Sequence, residues 1–257
     1  MTLELAGIQH QISWEAPEKN FAHLRPLIAR AADGGAALIA LTEMFSNGFS
    51  MNTQAIAEPV EGPSTQFLVD QAANTGAWLC GSVPVLSPGS ALPSNCLVLA
   101  GPDGTVHRYS KLHRFAFAGE NEHYEAGESR MTVTINGVRI SLFVCFDLRF
   151  APDFWALAPA TDLYLVVANW PAGRSLHWTA LLQARAIENL AYVAGINRVG
   201  AAGDGLAHSG DSRIYGPFGE ILAVDTTNEE CILRATVDPD IVATTRADFP
   251  FLGERTD

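Results

Sequence analysis

Three residue types that together can transfer an acyl group each stand where an apolar run gives way to polar sequence. In "SLFVCFDLRF", residues 141 to 150, the apolar run after Ser141 reaches Cys145 and then turns charged with Asp147 and Arg149. A cysteine in that position is usually a small buried hydrophobe. It becomes a nucleophile only when a base takes its proton or a cation stabilises the thiolate. In "AALIALTEMFSNGFS", residues 36 to 50, a strand ends at Thr42 and delivers Glu43 between Leu41 and Met44, where partial loss of water suits a carboxylate to general-base work. In "VHRYSKLHRF", residues 106 to 115, an alternating strand ends at Lys111. Of 16 basic residues only Lys19 and Lys111 are lysines, which leaves 14 arginines. A compact ammonium fits beside an oxyanion where a planar guanidinium does not. Seven histidines, His10, His23, His107, His113, His123, His177 and His208, compete with Glu43 as partner for Cys145, and nothing in their spacing selects one.

The elements that must carry these groups follow from periodicity. Runs of strand length occur at 3–8, 37–41, 77–83, 96–100, 138–145, 163–168, 191–196 and 231–237. Several are too uninterrupted for half-exposed strands, so they predict sheets covered on both faces. Helices are expected over 17–32, 64–75, 152–157 and 176–189, the last with an apolar stripe through Leu181, Leu182, Ala186 and Leu190. "PDG" at 102 to 104, "NG" at 136 to 137 and "GPFGE" at 216 to 220 predict hairpin turns. Crossover units therefore mix with antiparallel hairpins. The polar stretches 46–60 and 111–130 are the longest connections, and long connections in a compact domain are often functional.

With 257 residues, 48% hydrophobic and 17% charged, the chain can bury a large core, and one domain over 1–257 is expected. A net charge of −12 argues against nucleic acid or an anionic membrane as partner, since both are polyanions. The start "MTLELAGIQHQ" has no signal-peptide pattern, and no apolar run approaches the ~18 residues of a membrane span. Cys80, Cys96, Cys145 and Cys231 show neither CxxC pairing nor zinc spacing, which fits separate thiols in a reducing, cytoplasmic compartment. HExxH, GxSxG, the P-loop pattern and GxGxxG are absent from the sequence.

Glu43, Lys111 and Cys145, in that order and with the surroundings "LTEMF", "YSKLHRF" and "VCFDLRF", resemble the nitrilase superfamily of carbon–nitrogen hydrolases. The resemblance runs from about residue 3 to 237, through "GENEHYEAG", "ANWPAGRSLHW", "ARAIENLAYVAGINRVG" and "GDSRIYGPFGE", and leaves 238–257 as a tail. It implies a four-layer α-β-β-α sandwich of α/β class and a Glu–Lys–Cys triad. It also implies a second glutamate beside the lysine, at Glu120 with Glu122 as competitor, and no metal or organic cofactor. Family members pair, so a homodimer is expected, with the helix over 176–189 near the interface.

The wording of these motifs looks closest to the omega-amidase branch, which hydrolyses the terminal amide of 2-oxo dicarboxylic acid monoamides. This implies a small-molecule amide as partner and a thioester intermediate. Phe146 stands where related sequences often carry tyrosine, and its backbone N–H is the expected second oxyanion donor. A carboxylate-bearing substrate needs a cation, and Arg149, Arg174 and Arg198 are the candidates. Arg149 is expected to pair with Asp147 or another acid of the fold, which puts Arg174 first. Phe117, Trp170, His177 and Trp178 are further candidates to line the pocket.

Overall fold

The computed structural model describes residues 1–225 and 227–255. In chain order the elements are β1 (Leu3–Gln9), α1 (Pro17–Asp33), β2 (Leu38–Ala40), α2 (Thr53–Ile56), β3 (Glu58–Pro59), α3 (Pro63–Thr75), β4 (Trp78–Leu86), β5 (Ser94–Ala100) and β6 (Val106–Ser110). They continue with α4 (Glu120–His123), β7 (Thr132–Ile135), β8 (Val138–Val144), α5 (Ala151–Leu157), β9 (Leu163–Ala168), α6 (Ser175–Asn189) and β10 (Tyr192–Asn197). The last are β11 (Val199–Ala201), β12 (Ala207–Ser209), β13 (Arg213–Tyr215), β14 (Ile221–Val224), β15 (Cys231–Val237) and α7 (Pro239–Asp248).

One sheet has the order β15-β1-β2-β4-β5-β6, with β3 also paired to β4, and a second has the order β14-β13-β10-β9-β8-β7. In each, three central strands run parallel (β1, β2 and β4 in one; β8, β9 and β10 in the other) and the flanks are antiparallel. The turns at 102–104, 136–137 and 216–220 connect β5 to β6, β7 to β8 and β13 to β14, as their residues predict.

The uninterrupted apolar strands are explained by burial on both faces. In β9, Leu163, Leu165 and Val167 point into the core between the two sheets, while Tyr164, Val166 and Ala168 pack toward α5 and α6. In β1, Leu3 and Leu5 face the other sheet, and Ala6 and Ile8 face α1 and α3, which contribute Phe21, Leu24, Ile28, Phe67 and Leu68. The strand period of two thus serves two cores at once, and the result is the expected α-β-β-α stack. Gly7 is required where the sheets touch: a Cβ there would lie 2.1 Å from Ile196 Cδ1.

The segment expected as a tail carries a further element. Asp238 caps α7 through the Asp240 N–H, and Arg246 donates to the carbonyls of Thr161, Asn189 and Leu190. "GDGLAHSG" forms the turn and second strand of the hairpin of β11 and β12, whose strands pair with each other outside both main sheets. Among the described residues no helix is long and apolar enough to cross a membrane.

Candidate active site

The parallel strands of both sheets end at one edge, the place where α/β folds ordinarily put their sites. There β2 runs out at Ala40 and Glu43 follows, β8 runs out at Val144 and Cys145 follows, and β9 runs out at Ala168 and Asn169 follows. Lys111 arrives from the end of β6. Both reactive turns are sharp. Cys145 itself has φ +47°, and Met44, immediately after Glu43, has φ +46°. Left-handed backbone costs a β-carbon residue about 1–2 kcal/mol. The surrounding bonds hold it: Met44 N–H donates to Ser82 Oγ at 2.9 Å, and Val144 N–H donates to Asp147 Oδ2 at 3.0 Å. The strand predicted to end on Cys145 ends one residue earlier, and Cys145 opens a 3₁₀ turn over Cys145–Arg149.

Lys111, Glu43 and Glu120 form a wholly buried cluster. Lys111 Nζ donates to Glu43 Oε1 at 3.1 Å and to both oxygens of Glu120 at 3.0 and 2.9 Å. Burial alone would lower the Lys111 pKa, but the two carboxylates reverse this and raise it above its ordinary value, so the ammonium stays charged. Glu122 is exposed, which settles the choice between the two glutamates as neighbour of Lys111 in favour of Glu120. The Phe115 N–H also donates to Glu120. The thiol of Cys145 is pushed well above its ordinary range, first by desolvation and then by the Glu43 carboxylate, with Lys111 opposing. It therefore rests protonated beside that carboxylate.

Two amides unremarked in the sequence complete the cluster. Asn95 Nδ2 donates to Glu43 Oε1 at 2.8 Å, and Asn169 N–H donates to Glu43 Oε2 at 2.7 Å. The Asn169 side chain also donates to the Glu43 carbonyl. A signal existed for both. Each is a lone amide beside an otherwise apolar strand, and Asn169 sits at a strand end as Glu43, Lys111 and Cys145 do.

Cys145 opens onto a cavity of about 240 Å³, the scale of a small-molecule site. Phe146, Trp170, Arg149 and Arg174 line it, together with Phe115 and Trp14. Other expectations are corrected. Phe117 is 88% exposed at the tip of its turn, and Phe115 takes the wall instead. His177 is exposed and stands outside the lining, where its Nδ1 accepts from Arg149 at 3.2 Å. Trp178 is core: it packs on Trp170 and donates to the Asp211 carbonyl.

Arg149 does not pair with Asp147, because that carboxylate is taken by the Tyr109 hydroxyl and the N–H groups of Val144 and His113. Its guanidinium lies over Trp170, 4.8 Å from the ring centre, and Arg174 lies over Phe115 at 5.3 Å. Neither makes an ion pair among the described residues. Desolvation, and after it the charge of Arg174, lowers the Arg149 pKa. Arg198 is buried outside the cavity lining and donates through Nε and Nη2 to the carbonyls of Ile12, Val199 and Ala201.

None of the seven histidines displaces Glu43. His10, which is bonded to Thr42 just past the end of β2, is held neutral by burial with a pKa lowered to about 4. Among the described residues no group of three or more His, Cys, Asp or Glu side chains is arranged to hold a metal ion.

The family model for carbon–nitrogen hydrolase matches residues 4–247. The omega-amidase YafV of Escherichia coli K12 is 39% identical over 96% of this chain and 94% of its own length. A 2-oxoglutaramate amidase of Paenarthrobacter nicotinovorans is 34% identical over 98% and 89%. Among solved structures, a CN-hydrolase superfamily protein of Xanthomonas campestris with an arsenic adduct in its active site superposes with a TM-score of 0.92 at 36% identity, covering 100% of this chain and 98% of that one.

Proposed function

The chain belongs to the carbon–nitrogen hydrolase family and is an amidase-type hydrolase; from that premise we propose that it cleaves the terminal amide of a small 2-oxo dicarboxylic acid monoamide to the acid and ammonia. The observation that carries this reading is the pair of guanidiniums, Arg149 and Arg174, which line the cavity of Cys145 with no acid partner among the described residues. Two cations over aromatic rings in an apolar cavity call for an anion, and a planar guanidinium grips a carboxylate at two points. The substrate's carboxylate then lies at the arginine end and its amide at the sulfur. The names of relatives that act on omega-amides or 2-oxoglutaramate agree with that chemistry.

In the proposed reaction Glu43 accepts the Cys145 proton as the sulfur attacks the amide carbonyl, forming the C–S bond. Lys111 and the Phe146 N–H stabilise the oxyanion, and Glu120 keeps Lys111 oriented. Glu43 passes its proton to the amide nitrogen, the C–N bond breaks and ammonia leaves. Water, deprotonated by Glu43, attacks the thioester. The C–S bond breaks, the carboxylic acid departs and the proton returns to sulfur.

The test is ammonia release from 2-oxoglutaramate, glutamine, an N-carbamoyl amine and a simple nitrile. A kcat/KM for 2-oxoglutaramate at least tenfold above the others is expected, and a preference for the carbamoyl amine or the nitrile would replace the assignment. The proposal also takes 1–257 as one catalytic domain working in the cytoplasm as a homodimer, through the face of α6 that exposes Leu176 and Ile187. Light scattering that finds a monomer at micromolar concentration would remove the dimer.

A further inference from the structure

Asn95 touches three members of the buried cluster from one position on β5. Its side-chain nitrogen donates to Glu43 Oε1 at 2.8 Å and to Glu120 Oε1 at 3.3 Å, and its backbone carbonyl accepts the Lys111 N–H at 2.9 Å. The side chain is 1% exposed. Its orientation is not open to exchange, because carboxylate oxygens only accept and the nitrogen must face them. The other end, Oδ1, is buried with no partner among the described residues. A buried acceptor left unpaired destabilises the fold, and an apolar side chain of the same size would avoid that. The position is thus held for its donor and at some cost to stability, as is common at functional sites.

The two oxygens of Glu43 differ in consequence. Oε1 receives two donors, from Asn95 and Lys111, while Oε2 receives one, the Asn169 N–H. A carboxylate oxygen offers about two lone-pair sites, so Oε1 is filled and Oε2 keeps one site open. We infer that Asn95 is a positioning residue for the acid–base work of Glu43: by occupying Oε1 and tying it to Glu120, it leaves Oε2 as the oxygen that takes and returns the Cys145 proton. The inference rests on the proposed role of Glu43 as the base.

The test is Asn95→Leu, with Asn95→Ser as a milder truncation, assayed on 2-oxoglutaramate and on the neutral amide propionamide. The expected result is a fall in kcat of roughly 30-fold or more for Asn95→Leu, with KM within about threefold. The low-pH limb of kcat/KM moves upward by about one pH unit, because the charged form of the base has lost a donor. The groups facing Glu43 from the packed elements are Lys111, Glu120, Cys145 and Tyr124, and all remain in both variants. A limb unmoved in both variants would mean that Asn95 only fills space, and would overturn the inference whatever happens to kcat. Turnover of propionamide alone would reject the carboxylate substrate and leave the Asn95 readout intact on the neutral amide.

Discussion

Asn169 and Glu43 are joined twice, from strands of different sheets: the Asn169 backbone N–H donates to Glu43 Oε2 at 2.7 Å, and its side-chain amide donates to the Glu43 carbonyl. One sheet thereby holds the carboxylate supplied by the other. Replacing Asn169 by Ala leaves the backbone bond and removes the other, so kcat should fall about tenfold with a stability loss of about 1 kcal/mol. Asn169→Asp sets a carboxylate against the Glu43 carbonyl oxygen and should fall further than Ala. Equal kcat in the two variants would mean that the side-chain bond is idle.

Glu43→Gln should separate thiol reactivity from hydrolysis. The Cys145 pKa is raised first by desolvation and then by the Glu43 charge, while Lys111 pulls it down. Removing the negative charge leaves the lysine, so the thiol pKa falls and more thiolate is present at neutral pH. Iodoacetamide labelling of Cys145, read by mass mapping, should be no slower than in the unchanged protein, while amide hydrolysis drops by about 10³ or more for want of a base. Labelling that collapses together with hydrolysis would contradict this. In the unchanged protein Cys145 should label before Cys80 and Cys96, which lie buried in β4 and β5, and before Cys231 in β15.

Lys111→Arg keeps the charge and alters its shape. Nζ sits within 3.1 Å of both glutamates in a space with 1% exposure, and a guanidinium cannot occupy it without displacing substrate or itself. The expected loss in kcat is on the order of 10²–10³. A variant that retains more than about a tenth of kcat would place this lysine outside the reaction.

Arg149→Ala and Arg174→Ala should each raise KM for a carboxylate-bearing amide by tenfold or more, with little change for propionamide. Steady-state kinetics on both substrates decide it. An equal loss on both would make the arginines supports for Trp170 and Phe115 and not ligands of the substrate.

Asp147 gives a pH dependence of stability. Burial is the largest influence on it and raises its pKa from 3.8 to about 6, against the bonds from Val144, His113 and Tyr109. Because the folded value lies above the unfolded one, this group's contribution is fully present below pH 4 and is lost as pH rises through 6, about 3 kcal/mol in all. Between pH 4 and 7 the unchanged protein should therefore lose more melting temperature than Asp147→Asn. Parallel curves for the two would show that Asp147 is not the group responsible.

Much of this architecture was legible from the chain alone. Strand positions, hairpin turns and the placing of Glu43, Lys111 and Cys145 at strand ends depend on local periodicity and turn chemistry, which a sequence carries directly. The uninterrupted apolar strands by themselves require burial on both faces. The four layers then followed from the family resemblance.

What the tertiary structure alone decided concerns which side chains the packing of strands and turns brings together, within one sheet as for Asn95 and across the two as for Asn169. Asn95 and Asn169 lie 52 and 126 residues from Glu43 along the chain, and only the register and packing of the sheets bring them to it. The same holds for Arg149, whose nearest acid in sequence, Asp147, is taken by Tyr109 and by backbone N–H groups. Phe115 and Phe117 are chemically identical and two residues apart, yet the first lines the cavity and the second faces outward, because the turn between them sets their directions. Side-chain type and spacing along a strand are local properties and are written in the sequence. Which side chain a strand end opposes depends on the packing of distant segments, and that exists only once the chain has folded.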